Sequence, residues 1–133
     1  GTLSLMVGGD SGAIQKCREA LETMGAIRPC GDIGMGQIVK LAKNAVVIGT
    51  LGLLLEVREL VQGHGMDFDD FKAIMNESTG RSFVSERMPM PPRATTSMAM
   101  PSKDLYICRH AADDCGAVMP MVGRCYEHTL RNG

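Results

Sequence analysis

Lys40 and Asn44 stand four positions apart in GDIGMGQIVKLAKN, the stretch from Gly31 to Asn44. On a helix that interval puts both side chains on one face, with Cβ atoms about 6 Å apart, so that one small substrate touches an amine and an amide together. Val39 and Leu41 flank the lysine. Apolar surroundings disfavour an ammonium ion, and this is how lysine becomes a proton donor and acceptor near neutral pH. Gly34 and Gly36 leave the entrance of the same helix without side chains, so that a ligand approaches backbone N–H groups there. Taken alone, the spacing is more commonly a solvated lysine and a surface asparagine behind an ordinary glycine turn. The elements around it have to decide.

The helix that carries the pair is long. From Ile33 to Gly63 there is no proline, and apolar residues occur nearly all the way round, which predicts a central helix surrounded by others. At 1.5 Å per residue it spans roughly 45 Å. Gly49 and Gly52 cost about 1 kcal/mol each in helix propensity against alanine, so they are expected to admit another backbone, with the helix shared between subunits. Ahead of it, TLSLMV reads as a strand and GGDSG as a turn. Ser11 to Met24 reads as a helix with Ile14, Cys17, Leu21 and Met24 on its inner face and Asp10 or Ser11 as cap. Gly25 closes that helix and AIRPCG reads as a second strand, making a β-α-β piece over residues 1–31. Two parallel strands do not bury both faces alone, so this piece belongs to a larger sheet.

Beyond the long helix, Asp67 is positioned to cap another, with Phe68, Phe71, Ile74 and Met75 facing inward. RMPMPPRATTSMAMPSKD, with Pro89, Pro91 and Pro92, reads as a loop. A helix from near Ser102 carries Leu105, Cys108, Ala112 and Cys115 inward, and a last helix runs from Pro120 to Leu130 with proline in its first turn. There is no internal repeat.

The totals set bounds on partners. The 133 residues suit one ordinary domain, and 14 basic against 15 acidic residues give a net charge of −1, with no footprint for nucleic acid or an anionic membrane. The longest uncharged apolar stretch, Asn44 to Leu55, is shorter than the roughly 18 residues of a membrane span, which predicts a soluble chain. Cysteines at 17, 30, 108, 115 and 125 form no C-x-x-C pair and are expected to be reduced and mostly buried. Cys125 and His128 are three apart, but no second pair completes a zinc site, so no metal is expected.

The order of these features is more specific than any one of them. GTLSLMVGGD, then GDIGMGQIVKLAKN, then a long apolar helix with Glu56, then HGMD, then KDLYICRHAADDCGAVMP resembles the β-hydroxyacid dehydrogenases over nearly the whole chain. That family includes 3-hydroxyisobutyrate dehydrogenase, tartronate semialdehyde reductase and, more distantly, 6-phosphogluconate dehydrogenase. The resemblance implies a mainly α fold. Residues 1–31 would be the β-α-β remnant of an NAD(P)-binding Rossmann domain, and 32–133 an all-helical catalytic and dimerisation domain built on the long helix. It implies Lys40 as general acid/base, Asn44 with Gly34 and Gly36 at the substrate, and Lys103 of KDL at the cofactor, with Asp104 following it. The implied reaction interconverts a small 3-hydroxy acid and its semialdehyde by hydride transfer to or from NAD or NADP, in a homodimer or higher homo-oligomer. The cytoplasm is the expected location, with the mitochondrial matrix as alternative.

The chain also departs from the family. It lacks the G-x-G-x-x-G cofactor fingerprint, the serine-glycine-glycine substrate motif and the closing segment, which suggests a truncated form that does not turn over alone. Lys43 stands where the family commonly has asparagine, and Thr96 and Met100 stand where relatives often carry phenylalanine. The rival reading is a non-catalytic helical assembly or binding module of the same family.

Overall fold

The computed structural model describes residues 2–88 and 99–131, of which 99–101 and 131 are described by their backbone alone. Among these residues there are two strands and six helices, so the fold is mainly α. The expectations for the proline-rich segment at 89–98 and for Thr96 lie outside the described residues, as does the side chain of Met100. The chain divides into two compact units, Gly1–Asn44 and Ala45–Gly133.

In the first unit β1 (Leu3–Val7), α1 (Ser11–Met24) and β2 (Gly25–Pro29) follow one another with little intervening loop. Asp10 caps α1, its carboxylate accepting from the Ala13 N–H at 2.8 Å. The strands pair in parallel, Leu3 opposite Gly25 through Val7 opposite Pro29. Gly25 both ends α1 and starts β2. A Cβ there would collide with the backbone of Leu3, so close strand pairing, rather than a left-handed turn, requires glycine at this position. On α1, Ile14 and Leu21 are half-buried, whereas Cys17 and Met24 are exposed, against expectation. A two-stranded sheet is too narrow to cover the whole apolar stripe of a helix of this length.

The last element of this unit is the start of α2 (Met35–Gly63), which continues into the second unit. There it is followed by α3 (Phe68–Asn76), α4 (Phe83–Arg87), α5 (Ala99–Cys115) and α6 (Pro120–Arg131). Leu54, Phe68, Val84 and Met88 form the core of the second unit, with Leu51, Phe71 and Met75 packed against it. Asp67 caps α3 as expected, accepting from the Asp69 N–H at 2.7 Å, but Ile74 is 58 % exposed and does not face inward. The short α4 was not legible from the sequence. A reciprocal Ser82–Ser85 capping box builds it, and the fully buried Ser85 hydroxyl donates to Asn76 Oδ1 at 2.6 Å.

Two further expectations are corrected. α5 starts at Ala99 rather than near Ser102, because Pro101 falls in its first turn, where the backbone N–H would have had no helical acceptor. Leu105, Cys108 and Ala112 are buried, but Cys115, in the last turn, is exposed. All five thiols are free, yet only Cys108 is buried, while Cys17 and Cys115 are exposed. The thiols are therefore not mostly buried. Burial pushes the Cys108 thiol up.

Among the described residues, α2 is not covered on all sides. Val46 is 69 % exposed and Leu53 and Leu60 are each 59 % exposed. By length and composition alone α2 also reaches what a bilayer span needs, contrary to the count of strictly uncharged residues, because a span tolerates a few charges. A core helix of a soluble protein has the same length and composition.

Candidate active site

The carboxyl ends of β1 and β2 carry the same chemistry. Gly8, Gly9 and Asp10 follow the first strand, and Gly31 and Asp32 follow shortly after the second. Cys30 N–H donates to Val7 O, and Gly9 N–H to Gly31 O, each at 2.8 Å, tying the two loops together. In open α/β sheets this carboxyl edge is where ligands bind.

α2 starts directly at that edge. Met35 N–H donates to Asp32 O at 3.1 Å, and the Gln37 and Ile38 N–H groups both reach Gly34 O. Gly34 has φ +92° and no atom within 4 Å of where a Cβ would sit, so it leaves open space at the helix entrance. Gly36 is different. A Cβ there would collide with Met6 O and come within 3.1 Å of Met6 C and 3.3 Å of Gly8 N. Gly8 is packed the same way, with its Cβ position against Asp32 O and 3.0 Å from Gly36 N. The space left by the missing side chain of Gly36 is filled by the protein's own strand end. Of the two glycines, only Gly34 faces open space.

Lys40 follows Gly36 by one turn and is exposed, while Asn44, one turn further, is half-buried. Leu41 is buried and Val39 half-buried, so these neighbours lie toward covered surface while Lys40 is exposed. Lys103 stands in the second unit on α5, 61 % exposed, its amine 3.7 Å from Asp104 Oδ1. The structure thus gathers Gly34, Gly36, Lys40 and Asn44 in one compact unit and carries Lys103 on the other. Sequence reasoning missed Gly8, Gly31 and Asp32. The signal was the Gly-Asp pair that recurs at 9–10 and 31–32.

The second unit also has a groove of about 610 Å³ between α2 and α6, lined by Leu51, Gly52, Leu55, Met121, Cys125 and His128 among others. It contains none of the residues singled out for dehydrogenase chemistry. Among the described residues no three His, Cys, Asp or Glu side chains gather as a metal site.

Comparison with known proteins converges on one group. Residues 34–131 match the family model described as the NAD-binding domain of NADP-dependent 3-hydroxyisobutyrate dehydrogenase. The mitochondrial 3-hydroxyisobutyrate dehydrogenase of Drosophila melanogaster is 33 % identical over 90 % of this chain and 41 % of its own length. The NAD-dependent L-serine dehydrogenase of Pseudomonas aeruginosa is 33 % identical over 65 % of this chain and 29 % of its own. The structure of Mycobacterium tuberculosis 3-hydroxyisobutyrate dehydrogenase, solved with L-serine, superposes with a TM-score of 0.90 at 25 % identity, covering 98 % of this chain and 49 % of that one. The chain therefore spans less than half the length of these relatives.

Proposed function

The chain belongs to the NAD(P)-dependent β-hydroxyacid dehydrogenase family, and from that premise we propose that it carries the acid/base half of a 3-hydroxyacid dehydrogenase. In this reading it works beside a nucleotide-binding lobe, of which β1, α1 and β2 are the last piece. The observation that supports it most is the placement of Lys40 and Asn44 on the first turns of a helix that starts at the carboxyl edge of two parallel strands.

The residues present suit a dinucleotide at that edge. Gly34 leaves a side-chain-free opening there, and Lys103, on the second unit, is kept as the cofactor-contacting lysine that the family pattern implies. Bound NAD(P) supplies the hydride acceptor. Lys40, as a neutral amine, takes the hydroxyl proton while the carbinol carbon loses its hydride, and in the reverse direction its ammonium returns the proton to the carbonyl oxygen. The Asn44 amide hydrogen-bonds the substrate and fixes it against the amine.

Lys40→Ala, made in the complete polypeptide with its nucleotide-binding lobe, is expected to lower kcat by about 10²- to 10⁴-fold with NAD(P) affinity retained. Near-normal kcat would refute the assignment. The exposed Val46, Leu53 and Leu60 on α2 support a second role in homo-oligomer assembly, to be checked by sedimentation velocity. The mitochondrial names of three relatives leave the matrix as open to this chain as the cytoplasm.

A further inference from the structure

From Ile33 to Leu55 the chain has no aspartate or glutamate, and its charges there are the amines of Lys40 and Lys43. The two residues are three apart on α2, so their Cβ atoms lie about 5–6 Å from each other on neighbouring strips of one face. Both are exposed. No acidic side chain stands three or four positions away from Lys43 in either direction, which removes the usual helical partners of a surface lysine. Neither amine belongs to an ion pair among the described residues, whereas Lys72 and Lys103 each have a carboxylate partner. Two unneutralised cations therefore sit together one to two turns above the open helix entrance at Gly34.

We propose that Lys43 is a specificity-determining residue that holds a second anionic group of the substrate, so that the site prefers a 3-hydroxy acid carrying two carboxylates over one carrying a single carboxylate. The inference rests on the reading of Lys40 and Asn44 as the substrate face. A hydroxy acid aligned on those two groups has its far end within reach of the neighbouring amine, because a lysine stem extends about 6 Å beyond its Cα. A single exposed charge pair at contact distance in water favours the dianion by about fivefold, and more where the site is partly closed from solvent. Lys43 is not required for proton transfer, which stays with Lys40.

The test uses two acids with the same hydroxymethyl and carboxylate core, 3-hydroxyisobutyrate and 2-(hydroxymethyl)glutarate, which differ by a carboxyethyl arm in place of the methyl group. Each is titrated at millimolar concentration into the isotope-labelled complete polypeptide that carries the nucleotide-binding lobe. The readout is the backbone amide shifts of residues 34–44 and the lysine side-chain resonances. The dianion is expected to bind about fivefold tighter and to shift Lys43. The preference should fall to near parity in Lys43→Asn and persist in Lys43→Arg, with helix content unchanged in both. Lys16→Asn, which removes another exposed lysine from the same unit, should leave the preference intact. An unchanged preference in Lys43→Asn, or an equal loss in Lys16→Asn, overturns the proposal while leaving Lys40 and Asn44 as the substrate face. If neither acid perturbs residues 34–44, the substrate-face reading falls and the proposal with it.

Discussion

Gly36→Ala is the substitution that tests how the helix and the strand edge are joined. The added methyl group would meet Met6 O, Met6 C and Gly8 N, all of them backbone atoms, so no side chain can swing aside to make room. Restoring normal contact requires the start of α2 to withdraw from the end of β1 by about 1 Å. Overpacking of this kind costs about 1–3 kcal/mol, offset by up to about 1 kcal/mol of helix propensity gained by replacing glycine within a helix. The net expectation is a loss of about 1–2 kcal/mol, read as a lower urea midpoint with unchanged m-value. A second consequence is functional. On the role proposed for Lys40, which lies one turn beyond Gly36 and moves with the helix, a misplacement of about 1 Å would cost roughly 10²-fold in rate in the complete polypeptide. Gly34→Ala is the control. It has open space around it and suffers only the backbone strain of its positive φ, about 1–2 kcal/mol, with no displacement of the helix. If Gly36→Ala were as stable as the parent chain and the complete polypeptide turned over at the parent rate, the close approach of strand end and helix would not be what fixes the proposed site.

Gly52→Ala is expected to stabilise the isolated chain by about 1 kcal/mol, since no atom lies within 4 Å of the new methyl group and the position is inside a helix. Thermal melts check this, and destabilisation at dilutions where the chain is monomeric would refute it. If a second copy packs its backbone there, the same variant weakens self-association in sedimentation velocity while raising the monomer's melting temperature. Cys17 and Cys115 should react with iodoacetamide first and Cys108 last, followed residue by residue in a mass spectrometer, because Cys108 is buried and its thiol is held protonated to higher pH. Its folded value is raised, so the stability it contributes is fully present below the unfolded thiol value of about 8.5 and is lost as pH rises through the folded value. Labelling of Cys108 at the rate of Cys17 would contradict its burial.

Much of the fold was legible because local signals agreed with each other. The bounds of α1 follow from an aspartate at the cap and a glycine at the end, and those of α6 from a proline in its first turn. α4 escaped notice because five residues carry too little periodicity to stand out, and what creates it is a serine pair whose partner, Asn76, is nine positions away from Ser85. The helix expected from near Ser102 starts earlier, at Ala99, and takes Pro101 into its first turn, where proline is tolerated. Ile74 and Cys115 show the limit of periodicity itself. A helical pattern says which residues share a stripe, but the neighbouring element decides how far along the stripe burial extends.

The site divides along the same line. The spacing of Lys40 and Asn44 is a property of one helix and is contained in the sequence. What the missing side chain of Gly36 makes room for is not, because the answer is Met6, thirty positions earlier in the chain. A glycine in a sequence announces that something comes close without saying whether it is a ligand or the protein's own backbone. Here two glycines two positions apart give both answers. Gly36 lets the strand edge and the helix meet, and that contact places the helix entrance at the carboxyl ends of β1 and β2, while Gly34 keeps the opening free. The same reasoning bears on Lys43. An amine with no carboxylate within a turn in either direction has no ion-pair partner on its own helix, which leaves it open to an anion from outside the run between Ile33 and Leu55.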